Sequence, residues 1–225
     1  MTLRLVIFDV DGTLIDSQAH IIASMEETFA ANALPPPSRA ETLSIVGLSL
    51  PVAMARLAPD HPGKTDALVD GYKHAFATLR YSGDGAALSP LYPGAMEALS
   101  TLAAQDDTLL AIATGKSRRG LEHIFDLHGI RPLFQSVQCA DDHPSKPHPS
   151  MVEACLNDTG VDPANAVIIG DTTFDIEMGV TAGIHALGVS WGYHRTTDLH
   201  AAGARDVIDR FDALPPALDA IFRAA

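Results

Sequence analysis

The chain has 225 residues, 47% of them hydrophobic and 19% charged, which is typical of one large globular domain or of a domain carrying a smaller one. Its formal net charge of -13 argues against nucleic acid or an anionic membrane as a partner, because phosphate groups attract lysine and arginine. Only two cysteines are present, and no apolar run approaches the roughly 20 residues of a membrane helix. We therefore expect a cytoplasmic protein.

The first predicted strand covers residues 3–8, a run that is apolar except for Arg4 and stops at Asp9. Unbroken apolar character, in place of alternation, is typical of a strand buried on both faces of a parallel sheet. Asp11, Gly12 and Thr13 follow in the next turn. Two carboxylates so close together repel each other, and such a pair is most readily tolerated beside a cation.

The next segment contains helical patterns and no convincing strand. Ser17 is predicted to cap a first helix. Ser38 and Glu41 have the spacing of a capping box at the start of a second helix. Residues 65–79 place apolar side chains on one helical face. Residues 82–90 are predicted to form a linker.

The rest of the chain alternates strands with helices. Continuous apolar runs predict strands at residues 109–113, 136–140, 166–170 and 185–191, and helical periodicity is present at 94–105 and 117–129. This alternation predicts a doubly wound, mostly parallel sheet, which is a Rossmann-like α/β fold. We expect residues 1–16 and 91–225 to form the α/β core, with residues 17–90 inserted as a small all-helical cap domain.

Polar residues follow three of the predicted strands. Asp9 follows the first strand, Thr114 and Gly115 follow the strand at 109–113, and Asp171 follows the strand at 166–170. In open α/β sheets, ligands bind just outside the carboxyl ends of the strands. Taken singly, such a residue most often forms a turn or caps a helix, so it is their convergence that predicts a functional site.

Four short sequences now point to a family. They are DVDGT (9–13), ATG (113–115), KPHP (146–149) and GDTTFD (170–175). In this order they resemble the four motifs of the haloacid dehalogenase superfamily, in its phosphatase branch, and the chain as a whole most resembles the phosphoglycolate phosphatase-like group. The helical segment resembles the cap that many members insert after the first motif.

The resemblance implies a Mg²⁺-dependent phosphatase that hydrolyses a small phosphomonoester, either phosphoglycolate-like or a sugar phosphate. Asp9 would be the nucleophile that forms an aspartyl-phosphate, and Asp11 would be the general acid and then the general base. Thr114, Gly115 and Lys146 would bind the phosphoryl group, with Lys146 also neutralising charge.

The resemblance also implies a set of metal ligands. The side chains of Asp9 and Asp171 and the backbone carbonyl of Asp11 would bind Mg²⁺, and Asp175 would hold a metal-bound water or orient the site from behind. Oxygen ligands of this kind suit Mg²⁺, which uses few carboxylates and retains several waters.

Two alternative functions stay open. One is a phosphosugar mutase resembling β-phosphoglucomutase, and the other is a non-catalytic binding protein on the same fold, although the intact set of acids argues against the latter. A dehalogenase is disfavoured, because a halide leaving group needs no proton and Asp11 would have no role. For residues 46–51, two interpretations are equally supported: a loop that determines substrate specificity, or an ordinary connection between two helices.

Overall fold

The computed structural model describes residues 2–81 and 89–223, and its centre is a six-stranded sheet in which every strand pairing is parallel. The strands are β1 (Arg4–Phe8), β2 (Thr108–Thr114), β3 (Ser136–Cys139), β4 (Ala166–Gly170), β5 (His185–Val189) and β6 (Asp206–Ile208). The predicted doubly wound α/β fold is confirmed. The sequence pattern does not predict β6, because this strand has three residues and begins with an exposed aspartate.

The strand order is β3-β2-β1-β4-β5-β6, so the chain winds outward in both directions from β1 and β4. Ligands bind at such a switch point, where the connections on either side leave a crevice at the carboxyl ends of the strands. Phe8 lies opposite Ile169 in the pairing of β1 with β4, and the Asp9 N–H donates to the Ile169 carbonyl at 3.0 Å. The residues that follow these two strands are therefore brought together.

The described residues also form ten α-helices, of which the last six along the chain cover the two faces of the sheet. They are α1 (Gln18–Ala31), α2 (Arg39–Ser44), α3 (Leu50–Leu57), α4 (Thr65–Tyr81), α5 (Ala95–Ala103), α6 (Arg118–His128), α7 (Ser150–Thr159), α8 (Thr173–Thr181), α9 (Thr196–Ala202) and α10 (Leu214–Arg223). Val6 and Phe8 pack in a cluster with residues of α5, α6 and α10. Leu5 and Ile7 pack in a second cluster with residues of α7, α8 and α9. Because successive side chains of a strand point to opposite faces and both faces are covered, β1 is apolar from Leu5 to Phe8.

The four helices α1–α4, which we call the helical segment, have an apolar cluster of their own. Met25 and Phe29 of α1 pack there with Leu68 of α4. Phe174 of α8 joins the same cluster, so the helical segment packs directly on the α/β core. The exact domain boundaries stay a prediction, and residues 82–88 of the predicted linker lie outside the described residues.

The local predictions for this segment have mixed outcomes. The capping box is confirmed, because the Glu41 N–H donates to the Ser38 hydroxyl and the Ser38 N–H donates to the Glu41 carboxylate. Ser17 occupies the N-cap position of α1 as predicted, but its hydroxyl makes no cap hydrogen bond and donates to Asp11 instead. None of the helices in the described part of the chain is long and apolar enough to cross a membrane.

Candidate active site

A sharp turn after β1 brings two acids to one cavity. Gly12 has a left-handed backbone (φ +88°), and a Cβ at this position would lie 2.3 Å from a carboxylate oxygen of Asp171. Glycine is therefore required both for the conformation and for the close approach. As a result, Asp9 and Asp11 both line the cavity between the sheet edge and the helical segment.

Asp9 is buried and only half satisfied. Its Oδ1 accepts a hydrogen bond from Lys146 Nζ at 2.8 Å, whereas its Oδ2 is buried with no hydrogen-bond partner among the described residues. Burial raises the pKa of Asp9 to about 6, although Lys146 opposes the shift. The carboxylate is thus ionised at neutral pH and has an oxygen left for another ligand.

Lys146 bridges two carboxylates in the interior. Its side chain is fully buried, and its Nζ donates to Asp9 at 2.8 Å and to Asp175 Oδ1 at 2.6 Å. Burial alone would lower the pKa of Lys146, but the two neighbouring carboxylates raise it above its ordinary value. The lysine therefore remains charged in a place where an isolated ammonium group would be neutral.

Asp171 lies beside this ion pair and is held by neutral donors. Thr13 donates its hydroxyl to Oδ1 at 2.8 Å, and the Tyr193 N–H donates to Oδ2 at 2.9 Å. Burial, together with the nearby charges of Asp175 and Asp9, raises the pKa of Asp171 well above its ordinary range. A buried carboxylate without a cationic partner is a position where a metal ion would be strongly favoured.

Asp175 is fixed by the start of α8. Its Oδ2 accepts from the Thr172 hydroxyl at 2.7 Å and from the Thr172 N–H at 3.1 Å, which forms a capping box with the helix N-terminus. Its other oxygen is occupied by Lys146. Asp175 therefore orients Lys146, and both of its oxygens already have partners.

The acidic cluster has the chemistry of a magnesium site. Asp9, Asp171 and Asp175 each offer a carboxylate oxygen, and these oxygens lie within 4.8 Å of one another. The unpartnered Oδ2 of Asp9 and the uncompensated Asp171 fit a hard dication, which prefers oxygen ligands. The Asp11 side chain is not part of this group, and the predicted contribution of its backbone carbonyl stays a prediction.

Asp11 faces the cavity and is held by two residues, Lys116 and Ser17, whose contacts with it the sequence patterns did not predict. Lys116 Nζ donates to both carboxylate oxygens, at 2.8 and 2.9 Å, and the Ser17 hydroxyl donates to Oδ1 at 2.6 Å. Lys116 follows Thr114 and Gly115 directly at the end of β2, and this position was the available signal. These contacts fix the orientation of the Asp11 carboxylate.

Lys116 also joins Asp11 to the helical segment. Its ammonium group lies 5.1 Å from the centroid of the Phe76 ring in α4, within the range of a cation–π contact. His20 of α1 stacks on the same ring at 3.5 Å and is held by the Phe76 carbonyl. The position of Asp11 is therefore coupled, through Lys116, to two helices outside the α/β core.

The end of β2 lies directly under the helical segment. Thr114 is buried, lines the cavity, and accepts a hydrogen bond from the Lys116 N–H at 3.2 Å. A Cβ at Gly115 would lie 2.2 Å from the Gly47 carbonyl oxygen. Only glycine permits this approach, and it places Thr114 and Gly115 within the same enclosed cavity as Asp9.

Residues 46–51 lie against the α/β core. Val46, Leu48 and Leu50 line the cavity. The Ser49 N–H donates to the Ser145 hydroxyl at 2.9 Å, one residue before Lys146. This placement fits a loop that contacts substrate, and its role in specificity stays a prediction.

Comparison with known proteins identifies the family. A model of haloacid dehalogenase-like hydrolases matches residues 6–189. The protein described as "Probable phosphatase IndB" of Dickeya dadantii is 33% identical over 223 residues, covering 97% of this chain and 95% of that protein. A phosphoglycolate phosphatase of Agrobacterium fabrum is 30% identical over 218 residues, covering 95% and 91%.

A solved structure supports the fold. A candidate β-phosphoglucomutase of Bacteroides vulgatus superposes with a TM-score of 0.82, covering 99% of this chain and 91% of that chain, at 21% identity. At that identity the similarity demonstrates the architecture alone. Because the family model spans the strands that build the site and the relatives match nearly end to end, the chain belongs to the haloacid dehalogenase-like hydrolase family.

Proposed function

We propose that this hydrolase is a Mg²⁺-dependent phosphatase that transfers the phosphoryl group of a small phosphomonoester to Asp9 and then to water. The observation that carries the proposal is the state of Asp9. Its carboxylate is buried, oriented by Lys146 at one oxygen, and unpartnered at the other among the described residues. A carboxylate with these properties suits nucleophilic attack on phosphorus, since it is desolvated and fixed in position.

The first half-reaction forms a bond between Asp9 and phosphorus and breaks the bond between phosphorus and the ester oxygen. Asp11, which faces the same cavity, must enter this step protonated, and it donates that proton to the departing alkoxide. Ser17 and Lys116 hold the Asp11 carboxyl in place for this transfer. Lys146 offsets the charge that develops on the phosphoryl oxygens, and Thr114 and Gly115 offer a hydroxyl and an N–H to them.

In the second half-reaction, water attacks the phosphorus of the aspartyl-phosphate. Asp11 now accepts a proton from that water, and the bond between phosphorus and the Asp9 oxygen breaks. The products are the alcohol and inorganic phosphate, and both aspartates return to their starting states. A sugar hydroxyl in place of water would make the protein a phosphosugar mutase instead.

The Mg²⁺ site in this proposal consists of the Asp9 and Asp171 side chains and the Asp11 backbone carbonyl. Asp175 takes part indirectly, because both of its oxygens are engaged by Lys146 and Thr172. When bound, the ion would neutralise the phosphoryl oxygens and reduce their repulsion by the carboxylates.

The test measures phosphate release from a panel of phosphomonoesters with Mg²⁺ and with EDTA. Asp9→Asn should lower kcat by at least about 10⁴-fold, because it removes the nucleophile. Asp162→Asn is the matched control, since Asp162 is an exposed acid that does not line the cavity. When the phosphate of the substrate is radiolabelled, acid-quenched wild-type protein should carry label as an acyl phosphate that hydroxylamine cleaves. The Asp9→Asn protein should carry none.

Retained phosphate release in Asp9→Asn, or full activity in EDTA, would contradict the proposed mechanism. An acyl phosphate that forms without release of phosphate would direct attention to the mutase, and addition of hexose phosphates would then reveal transfer to a sugar. Absence of both the acyl phosphate and phosphate release would favour the non-catalytic alternative.

A further inference from the structure

The cavity above Asp9 has a polar floor and an apolar roof. Its volume is about 300 Å³, near the lower end of small-molecule sites. The floor contains Asp9, Asp11 and Thr114 at the strand ends, and the α/β core also contributes Lys116, Ser117, Arg119 and Asp141 to the lining. The roof belongs to the helical segment and is built mainly from aliphatic and aromatic side chains, among them Met25, Ile45, Val46, Leu48, Tyr72 and Phe76.

The described part of the roof contains few polar side chains. Among the described residues of the helical segment that line the cavity, none is Asp, Glu, Asn, Gln, Ser, Thr or His. The polar side chains among them are Tyr72, Lys73 and Arg80, and Lys73 is exposed. Sugar hydroxyls need acceptors as well as donors, and a buried hydroxyl without a partner weakens binding. Apart from the Tyr72 hydroxyl, the described side chains of the roof therefore offer a polyol no hydrogen-bond acceptor.

The size of the roof also argues against a very short leaving group. Glycolate has two carbons and would leave most of the apolar surface without contact, so the available binding energy would go unused. An apolar group of the size of a six-membered ring would instead cover Val46, Leu48 and Phe76 while its phosphate reached Asp9. Burial of apolar surface on both partners would favour this arrangement.

We infer that the preferred substrates are phosphomonoesters with an apolar leaving group of about the size of a six-membered ring. The inference rests on the proposed phosphatase activity and concerns the part of the substrate beyond the ester oxygen. The reaction is the same in every case: the alcohol leaves with a proton from Asp11, and phosphate is released to water.

A matched pair of esters tests this inference. Cyclohexylmethyl phosphate and glucose 6-phosphate are both primary esters on a six-membered ring, and they differ mainly in the polar groups of the ring. We expect kcat/KM to favour cyclohexylmethyl phosphate by at least about tenfold. In the series from methyl to butyl phosphate, whose leaving groups have similar basicity, kcat/KM should rise about fourfold per methylene.

Two isosteric substitutions assign the preference to the roof. Val46→Thr places a hydroxyl on the cavity surface and should lower kcat/KM for cyclohexylmethyl phosphate about five- to tenfold more than that for methyl phosphate, which is too small to cover the roof. Val52→Thr makes the same change in α3, at a residue that packs on the segment's cluster and is not part of the cavity lining, and should leave the ratio unchanged. If Val46→Thr fails to fold, Ala77→Ser in α4 provides a second change in the lining.

The outcomes separate this inference from the proposed function. Hydrolysis of the panel with glucose 6-phosphate or 2-phosphoglycolate preferred would overturn the inference and leave the phosphatase proposal intact. Equal responses of Val46→Thr and Val52→Thr would also overturn it, because the roof would then not be the source of the preference. No hydrolysis of any ester, in a folded protein with Mg²⁺, would reject the phosphatase proposal itself.

Discussion

The carboxyl edge of the sheet and the helical segment face the same cavity with opposite chemistry. The sheet edge buries charged groups that depend on one another, such as Asp9, Lys146 and Asp171. The helical segment contributes mainly apolar surface and reaches the charged groups through Lys116, which contacts Phe76. In the proposed function, the sheet edge performs the chemistry, whereas the helical segment encloses and selects the leaving group.

Lys146→Met should have the largest effect and should act on the sheet edge alone. It leaves Asp9 and Asp175 buried without their cation, so we expect a loss of about 3–5 kcal/mol in the free energy of unfolding at pH 7.5 without metal. The loss should be smaller at pH 5.5, because the buried carboxylates can then take up protons. We expect kcat to fall about 10³-fold, since charge on the phosphoryl group is no longer offset.

Urea unfolding at both pH values and steady-state kinetics would measure these effects. Lys73→Met is the stability control. Because Lys73 is exposed on α4, this variant should unfold at the same urea concentration as the wild type. Equal stability of Lys146→Met and wild type would mean that the buried ion pair makes no net contribution to folding, contrary to the geometry of the sheet edge.

Asp171→Asn removes a negative charge from the sheet edge and keeps the size of the side chain, so it tests the effect of the charge alone. The pKa of Asp171 is raised in the folded protein, so without metal this group makes the fold less stable as the pH rises above the unfolded pKa of about 4. Removing the charge should therefore stabilise the metal-free protein at pH 7.5. The variant should lose the further stabilisation by Mg²⁺, about 2.7 kcal/mol at 100 times the Kd, that we expect for the wild type.

Thermal unfolding with EDTA and with Mg²⁺ gives both quantities in one experiment. Asp162→Asn, an exposed acid, should keep the wild-type response to Mg²⁺. A variant at Asp171 that is still stabilised by Mg²⁺ to the wild-type extent would remove this residue from the proposed metal site.

Gly115→Ala tests the contact between the two regions. The added methyl group would lie 2.2 Å from the Gly47 carbonyl oxygen and 3.0 Å from that of Leu48, so the helical segment must shift away from the end of β2. We expect kcat/KM to fall about 10- to 100-fold, because small displacements of the reacting groups are costly. Gly63→Ala is the control, since a Cβ there meets no atom within 4 Å. Unchanged kcat/KM in Gly115→Ala would indicate that this packing is not needed during turnover.

Much of the sheet edge could be predicted from the sequence. Asp9 and Asp171 end continuously apolar runs, and a doubly wound sheet with a switch point between their strands brings such residues together. Lys146 has no such local signal, because it lies in a loop, and its prediction depended on the family resemblance. Its burial between two carboxylates follows only from the three-dimensional arrangement.

The contacts made by the helical segment were harder to predict. Ser17 has the sequence signature of a helix cap, but tertiary packing directs its hydroxyl to Asp11. The position of Lys116 between Asp11 and Phe76 joins residues that are far apart in the chain, and helical periodicity carries no information about such a pair. Periodicity identifies the apolar face of a helix and not the surface against which that face packs.

His20→Gln should have the smallest effect and should act on the helical segment alone. His20 is buried against Phe76, and burial, with Lys116 and Arg80 nearby, lowers its pKa to about 4. Between pH 6.5 and pH 4 the unfolded chain binds a proton that the folded protein does not, so this group makes the fold less stable as the pH falls through that range. The variant should therefore lose about 1–2 kcal/mol less than the wild type between pH 7.5 and pH 5, as measured by urea unfolding. His74→Gln, at an exposed position of α4, should show the wild-type pH dependence, and the same result for His20→Gln would mean that His20 does not contribute to the pH sensitivity of folding.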